Sequence, residues 1–184
     1  MKVSIWLVKS FLISQIYNYL EKKYNTNKKI LDGCHWLNAD VGIFGTEYGK
    51  KVINKYIEIL EILKDKNIIL EKFHITDKIY NQIYNNKKID YSKEEKNLKK
   101  LNTKIILITV KNKNIFKERI NDRIKNAPHY KRILQKPSEY FAQQKIYVKE
   151  VKKSGLESLI IDMSYPLNKN FVNKQINVIL DFIK

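Results

Sequence analysis

Five short apolar stretches, each followed by an amphipathic one, constrain this chain more than any other feature. The apolar stretches are Lys2 to Val8, Lys29 to Leu31, "NIILEKFH", "KIILITV" and "SLIID". Each has the length of a strand and too little alternation for a sheet that is wet on one face. Between them the spacing predicts helices. Ser10 to Tyr24 carries Phe11, Ile13, Ile16, Tyr17 and Leu20 near one stripe, and Lys50 to Lys66 carries Val52, Ile53, Tyr56, Ile59, Leu60 and Leu63. Further helices are expected from about Thr76 to Tyr84, over "NKNIFKERINDRIKN", from Pro137 to about Lys153, and from Asn170 to Ile183. The segment "SKEEKNLKKL" reads as a small charged helix or a mobile segment, and "GCHWLNADVGIFGTEYG", with four of the five glycines, as a long loop. Strands alternating with helices predict an α/β fold: one parallel sheet of about five strands with helices on both faces. In such sheets ligands bind outside the carboxyl ends of the strands, which singles out the loops after Val8, Leu70, Val110 and Asp162.

At 184 residues the chain is read as one domain, spanning 1–184, and 43% apolar content excludes a disordered chain. No apolar run is long enough for a bilayer, and no h-region with a cleavage site is evident, so neither a membrane protein nor a secreted one is expected. The lone Cys34 excludes an internal disulfide framework and fits a cytoplasmic location. The formal charge of +17 would suit a polyanion partner. Yet the excess is lysine spread along the chain, accompanied by Ile, Asn and Tyr, which share A/T-rich codons. A solvated lysine surface is therefore favoured over a nucleic-acid footprint.

Three groups of residues carry candidate chemistry. Glu71 and Lys72 stand where an apolar strand emerges. A carboxylate there can coordinate hydrated Mg²⁺ or accept a proton, and a neighbouring cation can hold a phosphate; a strand end also turns polar simply on meeting solvent. His74 reads as packing or capping, with no second His or Cys near it. Three of the 36 basic residues are arginines, Arg119, Arg123 and Arg132, and they fall within fourteen residues. The guanidinium fork binds phosphate oxygens bidentately, and Arg119 and Arg123 share a helix face. Finally, Lys9-Ser10 has the form of the last two residues of a phosphate-binding G-x-x-x-x-G-K-[ST] loop, with Val3 and Val8 where the glycines would be.

The order of elements, the "LEKFHITDKIY" strand-to-helix turn and "KIILITVKNKNIFKERINDRI" together resemble the thymidylate kinase-like branch of the P-loop nucleotide kinases. "SEYFAQQKIYVKEV" is similar to that family's helix after the lid. The resemblance covers about residues 40–184, and 127–136 would be the lid. It implies ATP-dependent phosphoryl transfer, with Mg²⁺, to a nucleoside monophosphate or nucleoside acceptor, and a homodimer formed through helices. Lys9 would reach the β/γ-phosphates of ATP, and Ser10 would ligate Mg²⁺. Glu71 would assist Mg²⁺ or the acceptor, Lys72 would hold the acceptor's phosphate, and Arg119, Arg123 and Arg132 would neutralise the transferring phosphoryl group. Two departures stand out. Lys72 replaces an arginine and loses its fork, and residues 1–8 contain no glycine. A phosphate loop needs glycine for its tight turn, whereas β-branched valines favour extended backbone. Either a shortened kinase or a relative that has given up this route to ATP fits the pattern. A non-catalytic kinase-like binding protein is thus the second reading, and a basic nucleic-acid-binding protein the third.

Overall fold

The computed structural model describes residues 5–39, 42–126, 136–165 and 168–184. In chain order the elements are α1 (Ile5–Tyr24), β1 (His35–Asn38), α2 (Gly49–Ile62), β2 (Ile68–Glu71), α3 (His74–Tyr84), α4 (Ser92–Lys100), β3 (Lys104–Thr109), α5 (Lys113–Asn126), α6 (Pro137–Lys153), β4 (Glu157–Asp162) and α7 (Lys169–Ile183). The α/β class holds. The single sheet of about five strands does not: among the described residues there are two two-stranded sheets, β1 with β2 and β3 with β4. β1 and β2 are parallel, with Leu37 opposite Leu70 and Asn38 opposite Glu71.

Two strand expectations fail for identifiable reasons. Ile5–Val8 continue into α1 instead of forming a strand before it. A continuous apolar run satisfies helix and strand alike, and the i, i+4 pair Leu12 and Ile16, both buried, supplies the stripe that the helix needs. Ile30 and Leu31 are 61% and 67% exposed and belong to a loop. There the Asp32 carboxylate accepts from Thr26 N at 3.1 Å and from Thr26 Oγ1 at 3.1 Å, a local bond set that competes with strand pairing. The strand forms four residues later, inside the stretch read as a loop.

The described chain divides into two compact units. One gathers the described residues of 17–105 and 149–157. Its core joins Phe44, Ile53, Ile57, Tyr91, Leu98 and Leu156. Ile53 and Ile57 are successive turns of α2, while Lys55 and Glu58 pair on its wet side at 2.9 Å. The charged segment is a helix, α4, with Glu94 and Glu95 in its first turn and Lys99 and Lys100 in its last, the order that complements the helix dipole.

At the centre of this unit sits Asp77, fully buried. Its Oδ1 accepts from Gly45 N at 2.8 Å, and its Oδ2 from Tyr91 Oη at 2.6 Å and Asn81 Nδ2 at 3.0 Å. One carboxylate thereby fastens the 42–48 loop, α3 and the segment before α4. Burial, then the hydrogen bond to Asp77, pushes the Tyr91 hydroxyl far above its ordinary range, so it stays a donor at every working pH. Two glycines make room. Gly45 has φ +82°, and a Cβ at Gly49 would lie 1.8 Å from Asp77 Oδ1.

The other unit gathers the described residues of 5–16, 106–148 and 158–184. Thr109 Oγ1 donates to Ile161 O at 3.0 Å and Met163 N to Thr109 O at 2.8 Å, which carries the β3–β4 pairing past the strand ends. The Gln144 side chain meets both main-chain groups of Val110, accepting from its N at 2.8 Å and donating to its O at 3.2 Å. Asn168 caps α7, its Oδ1 accepting from Phe171 N at 2.8 Å. No described helix is long and apolar enough to cross a membrane.

Two outcomes follow from this packing. Asp77→Ala strands a buried amide and a buried hydroxyl and should cost about 3 kcal/mol in urea unfolding. Gly49→Ala should cost about 1–3 kcal/mol by crowding the same carboxylate, with Lys55→Ala near zero; an Asp77→Ala protein as stable as the parent would contradict the assignment. Cys34 is 1% exposed, and burial, with the Glu21 carboxylate, raises its thiol from 9.0 to about 11. The unfolded thiol ionises first as pH rises, so this group's contribution to stability should fall between pH 9.0 and about 11. A Cys34→Ala variant should lose that slope, and the native thiol should resist thiol reagents at pH 8.

Candidate functional site

Beyond β3 and β4 the chain turns into two loops that hold each other by main-chain groups. Lys111 N donates to Ser164 Oγ at 2.6 Å and to Asp162 Oδ1 at 3.3 Å, and Asn112 N donates to Ser164 Oγ at 3.0 Å. Asp162 Oδ1 also accepts from Ser164 N at 3.0 Å and from the Ser164 hydroxyl. The Asn112 side chain caps α5, accepting from Asn114 N at 2.9 Å and Ile115 N at 3.3 Å. These bonds shape a cleft of about 430 Å³ lined by Lys111, Asn112, Ile115, Asp162, Ser164 and Tyr165. It lies outside the carboxyl ends of two neighbouring strands, the usual place for ligands in α/β sheets.

The groups around this cleft differ in chemistry. The Lys111 ammonium, on a side chain 76% exposed, stands 3.8 Å from Asp162 Oδ2. Tyr165 is 62% exposed and packs one side of its ring towards Phe171, 5.4 Å between centroids. A cation, the carboxylate edge that it faces and an aromatic face are thus gathered on two short loops. The exposed ammonium suits an anion such as phosphate, and the exposed ring suits a planar group.

Arg119 supports this arrangement from beneath. It is 6% exposed, and its Nη2 donates to Met163 O at 2.7 Å and to Tyr165 O at 3.4 Å. Burial lowers its pKa, opposed by the Asp162 and Glu118 charges, and two main-chain carbonyls take up the guanidinium. As placed, Arg119 fixes the loop that carries Ser164 and Tyr165. Arg123 follows one turn later on α5, its side chain outside what the structure describes. Arg132 and residues 127–135 of the expected lid lie outside the described residues.

Lys9 and Ser10 lie inside α1, not at a strand-to-helix turn. A helical N–H is committed to a carbonyl four residues back, so consecutive amides cannot curl around a phosphate there. These two residues do not fit the triphosphate of ATP in this conformation. No group of three or more His, Cys, Asp or Glu among the described residues is arranged to hold a metal ion.

Glu71 and Lys72 end β2 in the other unit. Glu71 O accepts from Ala39 N at 3.2 Å, and Lys72 has φ +50°, an uncommon conformation outside glycine, which turns the chain into α3. His74 is packed edge-on against Phe73 and Tyr91, with ring centroids 5.6 and 5.7 Å away. Its Nε2 lies 3.6 Å from Glu95 Oε1, and neither ring nitrogen has a hydrogen-bond partner among the described residues. Lys78 bridges Glu150 at 2.8 Å and Glu95 at 4.0 Å. The candidate residues therefore divide between the units: Lys9, Ser10 and Arg119 in one, Glu71 and Lys72 in the other.

Sequence reasoning marked the loops after Val110 and Asp162 but not Lys111, Ser164 or Tyr165 themselves. A strand ending in Asp with a serine two residues on was the available signal, since such a pair closes a side-chain-to-main-chain turn. Compared with family models, curated proteins and solved structures, the chain matches none.

If Arg119 holds the cleft loop, Arg119→Ala should lower stability by about 2 kcal/mol and speed amide exchange at Ser164 and Tyr165. Arg119→Lys, with one donor point in place of a fork, should recover part of both. Unchanged exchange in Arg119→Ala would show that the loop is held by other means.

Proposed function

We propose that the chain is a kinase-like nucleotide-binding protein without a glycine-loop donor site, and that it takes a nucleoside monophosphate in the cleft beyond β3 and β4. The observation that carries this reading is the gathering of Lys111, Asp162, Ser164 and Tyr165 on two mutually bonded loops at the strand ends. Tyr165 offers its ring to a base, Lys111 faces the phosphate, and Asp162 Oδ2 can accept from a sugar hydroxyl, while the Ser164 hydroxyl is committed to holding the two loops together. The resemblance to thymidylate kinase-like proteins supplies the ligand class only, since by that resemblance the acceptor's phosphate would lie on Lys72 of the other unit.

ATP-dependent transfer to the same acceptor is the fuller form of that resemblance. The helical setting of Lys9 and Ser10 weighs towards binding without transfer. Calorimetry separates the two. The binding reading expects thymidine monophosphate to bind at micromolar to millimolar levels and Asp162→Asn or Lys111→Gln to weaken it about tenfold. It expects Mg²⁺ and ATP to yield no ADP. ADP formation that depends on Lys9 would make the protein a kinase, and loss of all nucleotide binding would remove both forms.

A further inference from the structure

One end of the unit built around Asp77 brings exposed aromatic and cationic side chains together. Gly45 is the fastening: its N–H donates to Asp77 at 2.8 Å, and its carbonyl accepts from the Asn85 side chain. A Cβ on Gly45 would lie 3.0 Å from the Tyr80 Cβ, so the loop leading into α2 lies directly against the last turns of α3. The turn after α3 is held as well, with Lys87 N donating to Asn81 O at 3.0 Å.

From this fixed frame Tyr48 and Tyr84 project, each 55% exposed. Tyr84 stands edge-on to Tyr80, 5.5 Å between centroids, which fixes its ring while leaving much of it to solvent. The Lys51 ammonium lies 5.8 Å from the Tyr48 ring centroid. Lys87 and Lys88 are exposed on the turn beside Tyr84, and Glu47 is the acidic residue of the Gly45–Gly49 loop. Tyr48 has the Lys51 ammonium beside its ring, and Lys87 and Lys88 follow Tyr84 by three and four residues on a turn held by a main-chain bond. The overall charge does not decide this, but aromatic faces interleaved locally with cations match a polymer that alternates bases with phosphates.

We infer that this surface binds single-stranded nucleic acid, with Tyr48 and Tyr84 stacking on bases and Lys51, Lys87 and Lys88 facing the phosphates. The site shares no residue with the cleft beyond β3 and β4, which belongs to the other unit, and it needs no group of that cleft. Base stacking tolerates any sequence, so the surface would select strandedness more than sequence.

Fluorescence anisotropy of the full chain with a short labelled oligothymidylate tests this. Affinity should fall steeply between about 50 and 200 mM salt, as neutralised phosphates release counterions. Tyr48→Ala with Tyr84→Ala should weaken binding about tenfold or more at fixed salt while leaving the salt slope intact. Lys87→Gln with Lys88→Gln should make the slope shallower. Thymidine monophosphate in excess should not displace the oligonucleotide. Since the tyrosines are more than half exposed, the unfolding midpoint should stay put, which separates lost stacking from lost folding. Absence of binding at low salt, parent-like affinity in the tyrosine variant, or displacement by the monophosphate would each overturn the assignment.

Discussion

The buried carboxyl group of Asp77 is the constraint on which the unit gathering the described residues of 17–105 and 149–157 depends. A carboxyl group fully removed from water is tolerated only where hydrogen-bond partners replace its hydration, and here three do: the Gly45 amide, the Tyr91 hydroxyl and the Asn81 amide. Those donors come from separate stretches of the chain, so meeting the carboxylate's needs also fixes where each stretch runs. Gly45 and Gly49 are part of the same solution, one by its backbone angle and one by the space it leaves. The packing of Phe44, Ile53 and Tyr91 then follows from a loop that has only one place to go.

Little of that constraint was legible in the sequence. An aspartate in the first turn of an amphipathic helix reads as a favourable charge near the dipole's positive end, and nothing in "ITDKIY" says that it is buried. Two of its three partners lie 32 and 14 residues away, beyond any local pattern, and only Asn81 is one helical turn on. Most helices were legible from apolar residues at helical spacing, but the stripe marked on α2 included Ile59, 41% exposed, and missed Ile57, which is buried with Ile53. Strands of four residues were harder. β1 is "HWLN", with intermediate and exposed positions alternating, and its two polar ends hide it in a glycine-rich stretch. Ile30 and Leu31 looked more like a strand and are loop, because Asp32 folds the local backbone back on itself.

The candidate site shows the same division. That ligands should lie after Val110 and Asp162 came from topology alone, and the two loops do meet there. The clustered arginines drew attention to α5, yet Arg119 turns inward to the carbonyls of Met163 and Tyr165, so its geometry is that of a support for the cleft. Composition cannot distinguish a guanidinium that faces a ligand from one that caps a loop, because both need a fork of donors. Likewise Lys9-Ser10 has the spelling of a phosphate loop in a helical setting. The chemistry of such a loop resides in backbone amides that a helix has already used.

The central claim is that this chain can hold a nucleotide at the ends of β3 and β4 without a phosphate cradle at Lys9-Ser10. Backbone amide resonances followed by NMR during titration with Mg²⁺ and ATP, and separately with thymidine monophosphate, test it most directly. The account predicts that the monophosphate shifts the amides of Lys111, Asn112 and Ser164, while those of Lys9 and Ser10 stay where they are under both ligands. Large ATP-dependent shifts at Lys9 and Ser10, with the strand-end loops unmoved, would contradict it.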